Sequence, residues 1–134
     1  MLAKVFRLHA KRSFDQMSAF GVSQGQPRIL HYLTEHDGCI QKDISSFFDL
    51  EPATVTNVLA VMEKAGFVRR ESDGSDRRAL RVYLTARGSE VHRRAETIFA
   101  EVEKTCFKGF SASEKERAIL SLNRIYENMK EPQE

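Results

Sequence analysis

The chain has 134 residues, about one domain, with 41% hydrophobic residues to build a core and 30% charged residues to cover it. No apolar run approaches the ~20 residues of a bilayer crossing, and Met1 to Arg12 lacks the apolar stretch and cleavage site of a secretory signal, so a soluble cytoplasmic protein with no membrane partner is expected. The net charge of +2 permits a nucleic-acid partner without arguing for one, and Cys39 and Cys106, far apart and outside any CxxC, argue against a disulfide framework or a structural zinc site.

In chain order, Leu2 to about Phe20 reads as a helix, with Leu2, Val5, Phe6, His9, Phe14 and Met17 at helical spacing and Gly21 as its end. Pro27 suits the first turn of a second helix whose buried stripe is Ile29, Leu30 and Leu33. Asp37-Gly38 is a turn and Cys39-Ile40 a short strand. Gln41 to Phe48 is a short third helix with Ile44, Phe47 and Phe48 inward, followed by the tight connection Asp49-Leu50-Glu51. Pro52 starts a fourth helix that runs to about Ala65 and stops at Gly66.

Phe67 to Glu71 and Leu80 to Leu84 read as the strands of a hairpin. In the second strand Leu80, Val82 and Leu84 alternate with Arg81 and Tyr83, which predicts one buried face. Ala86 to about Phe107 is a long helix. Ser111 and Glu114 have capping-box spacing at the start of a last helix, whose apolar stripe is Ala118, Ile119, Leu122, Ile125, Tyr126 and Met129.

A short helix, a tight turn, a second helix and a hairpin form the order of a winged helix-turn-helix, and the fold class expected is mainly α with a small β hairpin. In such a unit the second helix must present a face that fits a major groove. With Val55, Leu59 and Met62 inward, the outer face carries Ala53, Asn57, Ala60 and Lys64, flanked by Thr54, Thr56 and Val61. It is small and polar near the helix start. Threonines bond phosphates or base edges and offer a methyl to thymine, and Asn57 matches an adenine edge. The helix start at Pro52 adds backbone donors for a phosphate. A plain solvated helix face is the competing reading of these residues taken alone.

The hairpin tip shifts the balance. Gly74 permits the turn, Asp76 is placed to pair with the Arg78 side chain, and an arginine at a hairpin tip suits the negative potential of a narrow minor groove. An ordinary exposed turn would also carry Asp and Arg. It is the helix pair and the hairpin in succession that point to double-stranded DNA as the partner.

At this point the chain closely resembles the MarR family of transcription regulators over nearly its whole length. The resemblance rests on "GQPRILHYL", "QKDISSFFDLEPATVTNVLAVMEKAGFVRR" and "SDRRALRVYLTARG". The family's wing signature, an Asp, one residue, an Arg, then a strand ending in Leu-Thr, falls on Asp76, Arg78, Leu84 and Thr85. The resemblance implies a homodimer reading a pseudo-palindrome, divided into an N-terminal dimerisation helix (1–22), a winged helix-turn-helix (23–85) and C-terminal dimerisation helices (86–134). It implies that Arg78 is the minor-groove finger, Asp76 its positioning partner and Arg77 a phosphate contact. The DNA-binding set is then Gln41, Pro52, Ala53, Thr54, Thr56, Asn57, Asp76, Arg77 and Arg78. Members usually repress, and many release DNA when a small phenolic or lipophilic effector, an oxidant or a metal binds. Members often carry an arginine on the recognition helix where this sequence has Asn57, which bears on base preference.

The terminal segments carry Phe6, Phe14, Phe20, Phe99, Phe107 and Phe110, placed by the sequence outside the winged core. Helices this apolar need a partner, either each other within one chain or a second copy, and symmetric half-sites favour the second copy. His9 and Tyr32 are candidates to line an effector cavity, with core packing the equal alternative. Cys39 and Cys106 are candidate oxidant sensors against the plainer reading of inert thiols, and only Cys106 has basic neighbours, Lys104 and Lys108. His9, His31, His36 and His92 show no HxxxH or HxH spacing, and His31, His36 and Cys39 do not converge on a helix, so no metal and no cofactor is expected. Arg93 and Arg94 read as a solvated face. Ser45 and Ser46 lack His and Asp partners by spacing and no Gly-rich phosphate loop exists, so an enzyme is not indicated. The reading from another class is a winged-helix module that binds protein and does not read DNA.

Overall fold

A computed structural model gives the fold for residues 1–76 and 78–130. Its elements are α1 (Leu2–Met17), a 3-10 turn (Ser18–Phe20), α2 (Gln26–Glu35), β1 (Cys39–Ile40), α3 (Gln41–Phe48), α4 (Pro52–Lys64), β2 (Val68–Ser72), β3 (Leu80–Leu84), α5 (Ala86–Cys106) and α6 (Ala112–Lys130). The chain divides into two compact units, Met1–Ala100 and Glu101–Glu134. Among the described residues no helix is long and apolar enough to cross a membrane.

The first unit is built on one core. Met17, Ile29, Leu30, Leu33, Ile44, Val55, Leu59, Met62, Phe67 and Val82 are essentially inaccessible to solvent and belong to one cluster. The stripes expected on α2 and α4 are therefore the buried ones, as helical periodicity requires. Phe14, Phe20 and Phe99 pack against the same cluster. This corrects their placement outside the winged core, because α1 and the first part of α5 complete that core. Phe6, at 66% exposure, is the one of this group in the first unit that stays in solvent.

The hairpin gains a third strand. β1 pairs antiparallel with β3, and β2 with β3, giving the order β1-β3-β2. The register Val68↔Leu84 to Ser72↔Leu80 sets β2 one residue later than the sequence suggests. The expected alternation on β3 is only partial: Val82 is buried, while Leu80, Arg81, Tyr83 and Leu84 are all half-buried. Arg81 is drawn in because its guanidinium donates to the Gly38 carbonyl (2.8 Å) and to Asp73 (3.1 Å).

Two backbone devices position the helix pair. Asp49 adopts the left-handed conformation (φ 50°) between α3 and α4, which a short polar residue tolerates. Gly66 (φ 81°) closes α4, so that the Phe67 amide bonds back to Met62 and the chain turns into β2. Phe47 departs from its expected inward place. It is 65% exposed and lies on the outside of Tyr32 (4.6 Å between ring centroids) and Phe48 (4.9 Å). An eight-residue helix has room for only a narrow buried stripe, which Ile44 and Ser45 occupy.

Thr85 explains the strand's Leu-Thr ending in physical terms. Its hydroxyl lies 2.6 Å from the Gly66 carbonyl and accepts the Gly88 amide at 2.9 Å, so one side chain caps α5 and ties it to the end of α4. In the second unit the expected capping box is present: Glu114 accepts the Ser111 amide (2.8 Å) and Ser111 Oγ accepts the Glu114 amide (3.3 Å). Phe107 and Phe110 meet edge to face at 5.5 Å.

Candidate nucleic-acid interface

α4 presents the surface that a recognition helix needs. Ala53, Thr54, Thr56, Asn57, Ala60, Val61 and Lys64 are exposed along one side, while Val55, Leu59 and Met62 hold the opposite side in the core. Pro52 occupies the first turn, and Glu51 before it is extended (ψ 138°) and makes no side-chain cap bond. The amides of Ala53 and Thr54 thus lie at an uncapped helix start, where the macrodipole favours an anion. Among the described residues the structure records no side-chain hydrogen bond for Thr54 or Asn57.

Gln41 and Thr56 stand differently, because both are held by protein partners. Thr56 Oγ1 donates to the Pro52 carbonyl (3.0 Å), and Gln41 Nε2 donates to Thr56 Oγ1 (3.3 Å). Arg70 Nη1 donates to Gln41 Oε1 (3.0 Å). Arg70 also grips Glu63 through Nη2 (2.9 Å) and Nε (3.2 Å). A polar chain thus runs from α3 through α4 to the base of the wing. Spacing alone did not reveal it, although Glu63 and Arg70 are the sort of fork-and-carboxylate pair that organises surfaces. Arg70 holds the Glu63 carboxyl below its usual range, chiefly through that side-chain bond.

In the wing, Asp76 Oδ1 accepts the backbone amide of Arg78 at 2.9 Å. The expected pairing with the Arg78 side chain is replaced by this shorter-range contact, since a carboxylate reaches the amide two residues on with little loss of freedom. Asp76 therefore shapes the turn, and the exposed Arg78 side chain is left to solvent. Arg77 lies outside the described residues.

Asp73, which the sequence reading passed over, organises the loop further. It accepts the Ser75 amide (3.3 Å) and hydroxyl (3.1 Å) on one oxygen and Arg81 Nη2 (3.1 Å) on the other, and its amide bonds to the Ala79 carbonyl (2.8 Å). The Ser75 amide first, then its hydroxyl and Arg81, hold the Asp73 carboxyl below its ordinary range. Lys42, exposed in the first turn of α3, was also missed. It borders with Gln41, Asp76 and Arg78 a hollow between that helix start and the wing.

The candidate sensors separate clearly. Cys39 is half-buried, and burial first, then the Asp43 carboxylate, push its thiol up to about 11. Cys106 is exposed. Tyr32 is buried in the core, stacked 4.2 Å from His36, and His9 stacks on Phe99 at 6.4 Å. Neither lines an apolar hollow in the first unit that is formed by Phe14, Pro27, Arg28, His31, Glu96 and Phe99 with Gly25.

The model of the MarR family matches residues 22–80. The transcriptional regulator HosA of Escherichia coli O127:H6 (strain E2348/69 / EPEC) is 30% identical over 115 residues, covering 86% of this chain and 84% of HosA. A MarR transcriptional regulator from Methanosarcina mazei Go1 has the same fold, with a TM-score of 0.80 and 24% identity over 95% of this chain and 91% of that one. The S. aureus MepR–DNA complex matches with a TM-score of 0.79 and 25% identity, covering 96% of this chain and 98% of MepR. With a family model that spans the helix pair, and a relative matched along most of both chains, this protein belongs to the MarR family of winged-helix, DNA-binding transcriptional regulators.

Proposed function

We propose that the protein is a cytoplasmic repressor that binds a pseudo-palindromic operator as a homodimer. The observation that carries this reading is the outer face of α4: small, polar, uncapped at its start and backed by a rigid core. Ala53, Thr54 and Asn57 enter the major groove, with Asn57 reading a base edge and the Pro52 end receiving a phosphate. Gln41 and Thr56 contact DNA from within the polar chain that fixes them. Arg78 enters the minor groove, Asp76 sets its direction and Arg77 meets a phosphate.

Exposed apolar residues support the dimer. Leu2, Val5, Phe6 and Leu8 on α1 are each more than half exposed, as are Leu120, Tyr126 and Met129 on α6. Apolar faces of this kind mark contact surfaces. Residues 1–22 and 86–134 are accordingly assigned to dimerisation and 23–85 to DNA. Release from DNA follows binding of a small effector, for which the apolar hollow by Phe14, Pro27 and Phe99 offers a place. For an oxidant, Cys106 is the accessible thiol.

The test is selection from random duplexes, followed by light scattering of the selected complex. A palindromic consensus carrying two chains is the expected result. Failure to enrich any site at low salt, with the protein folded and dimeric, overturns the reading in favour of a protein-binding module.

A further inference from the structure

The histidines that look scattered in sequence do not all stay apart. His31 on α2 and His92 on α5 face one another with Nδ1 of the first 3.2 Å from Nε2 of the second. Glu96 lies one turn further along α5 and brings Oε1 to 3.7 Å from the same His92 nitrogen. One ligand atom from each of the three residues lies within 4.8 Å of the other two. Four residues apart on α5, His92 and Glu96 share a helix face, and α2 supplies the third donor from across the groove.

These separations have a chemical meaning. Nitrogen and oxygen ligands sit roughly 2.0–2.2 Å from zinc, so two of them on a tetrahedral ion are about 3.3–3.6 Å apart. The two His92 spacings fall close to that edge length before any ion is bound. A hydrogen bond between the imidazoles and an i,i+4 contact of His92 with Glu96 would each explain one of the two spacings, whereas one ion accounts for all three donors converging.

We propose that His31, His92 and Glu96 form a site for a divalent transition metal of the zinc type, bound through His31 Nδ1, His92 Nε2 and the Glu96 carboxylate. Two imidazoles and one carboxylate suit zinc, and three protein ligands leave a fourth position for water. His31 and Glu96 are exposed and border the hollow lined by Phe14, Pro27 and Phe99, so an ion has a path in. Arg28 is the cation that also borders this hollow, and its guanidinium lies over the Phe48 ring, 5.2 Å from the centroid. An ion at the site bridges α2 to α5, so binding also raises thermal stability. The proposal is independent of DNA reading, because zinc affinity is measured with no DNA present.

The experiment is a titration of the full chain with Zn²⁺ against a chromophoric chelator, with circular dichroism to confirm folding. One Zn²⁺ per chain is expected, together with a rise in Tm. Loss of an outer partner of a metal ligand typically weakens binding roughly 10–100-fold, so His31→Gln or His92→Gln, each losing a direct ligand, should cost about 100-fold or more. Glu96→Gln should weaken binding at least about tenfold, and His36→Gln and Cys106→Ser should leave it unchanged. His31 and Glu96 are exposed, so these two variants stay informative if His92→Gln misfolds. Co²⁺ in place of zinc should give the visible bands of a four-coordinate nitrogen and oxygen site without a thiolate band. No tight zinc binding, affinity unchanged in both His31→Gln and Glu96→Gln, or a thiolate band would each overturn the proposal.

Discussion

Arg70 and Glu63 hold each other at three points. The Arg70 backbone amide donates to Glu63 Oε1 (3.0 Å), while its Nη2 and Nε donate to Oε2 (2.9 and 3.2 Å). One carboxylate thus fixes both the strand backbone and the guanidinium, and the same guanidinium reaches Gln41. One pair thus links the end of α4, the strand β2 and the start of α3.

The pair carries a pH signature. Because the folded protein holds Glu63 below its ordinary value, its contribution to stability is full above the unfolded pKa of about 4.3 and is lost as pH falls through the lower folded value. Glu63→Gln should therefore lower stability at pH 7, by about 1 kcal/mol or less given a side chain 40% exposed to screening solvent. The difference from wild type should vanish in acid. Urea unfolding of both proteins from pH 7 to pH 3 measures it, and a constant difference across that range would contradict the assignment.

The outer face of α4 and the wing make a second set of predictions. Arg78→Ala should weaken DNA binding without unfolding the domain, most on duplexes whose minor groove is narrow at the contacted position. Asn57→Ala should shift preference at one base position by roughly 1–3 kcal/mol. Asp73→Ala should also lower DNA affinity, since the Asp73 carboxylate holds the Ser75 amide and hydroxyl and the Arg81 guanidinium. Binding measured on a selected duplex and on its single-base variants separates the three effects.

Much of this was legible in the sequence, and the reasons are specific. Val55, Leu59 and Met62 recur at helical spacing between Pro52 and Gly66, so periodicity and two backbone punctuation marks fixed α4 and its outer face. Ser111 and Glu114 announced a cap through local chemistry alone. What stayed hidden was non-local. Arg70 to Gln41 spans 29 positions and His31 to His92 spans 61, and no spacing rule reaches that far. A clue existed for the second: His92 and Glu96 stand four apart on a helix, two of the three ligands of the proposed site. Phe47 misled because helical spacing alone cannot tell the narrow stripe of a short helix from its flank.

Gly88 allows α5 to lie against the strand end. A Cβ there would stand 1.9 Å from the Phe67 carbonyl oxygen, which is backbone and cannot swing aside. Gly88→Ala should therefore destabilise the fold by roughly 1–3 kcal/mol, despite alanine's better helix propensity. Thermal melts of the variant decide it, and an unchanged or higher Tm would mean that α5 shifts freely on β2.

The thiols should react unequally. With Cys39 pushed up to about 11, its thiolate fraction at pH 8 is on the order of 0.1%. Iodoacetamide at pH 8, followed by peptide mass mapping, should label Cys106 well before Cys39. Faster labelling of Cys39 would mean that the β1 region opens in solution.

The most direct test of the central claim is fluorescence anisotropy of the protein on a selected duplex, repeated at several salt concentrations. A dimer that neutralises about six phosphates through its helix starts and wings should give a log-log slope near −5, at about −0.9 per phosphate, with Arg78→Ala reducing it. A slope near zero, or equal affinity for selected and random duplexes at every salt concentration, would contradict the account of α4 and the wing as a DNA-reading surface.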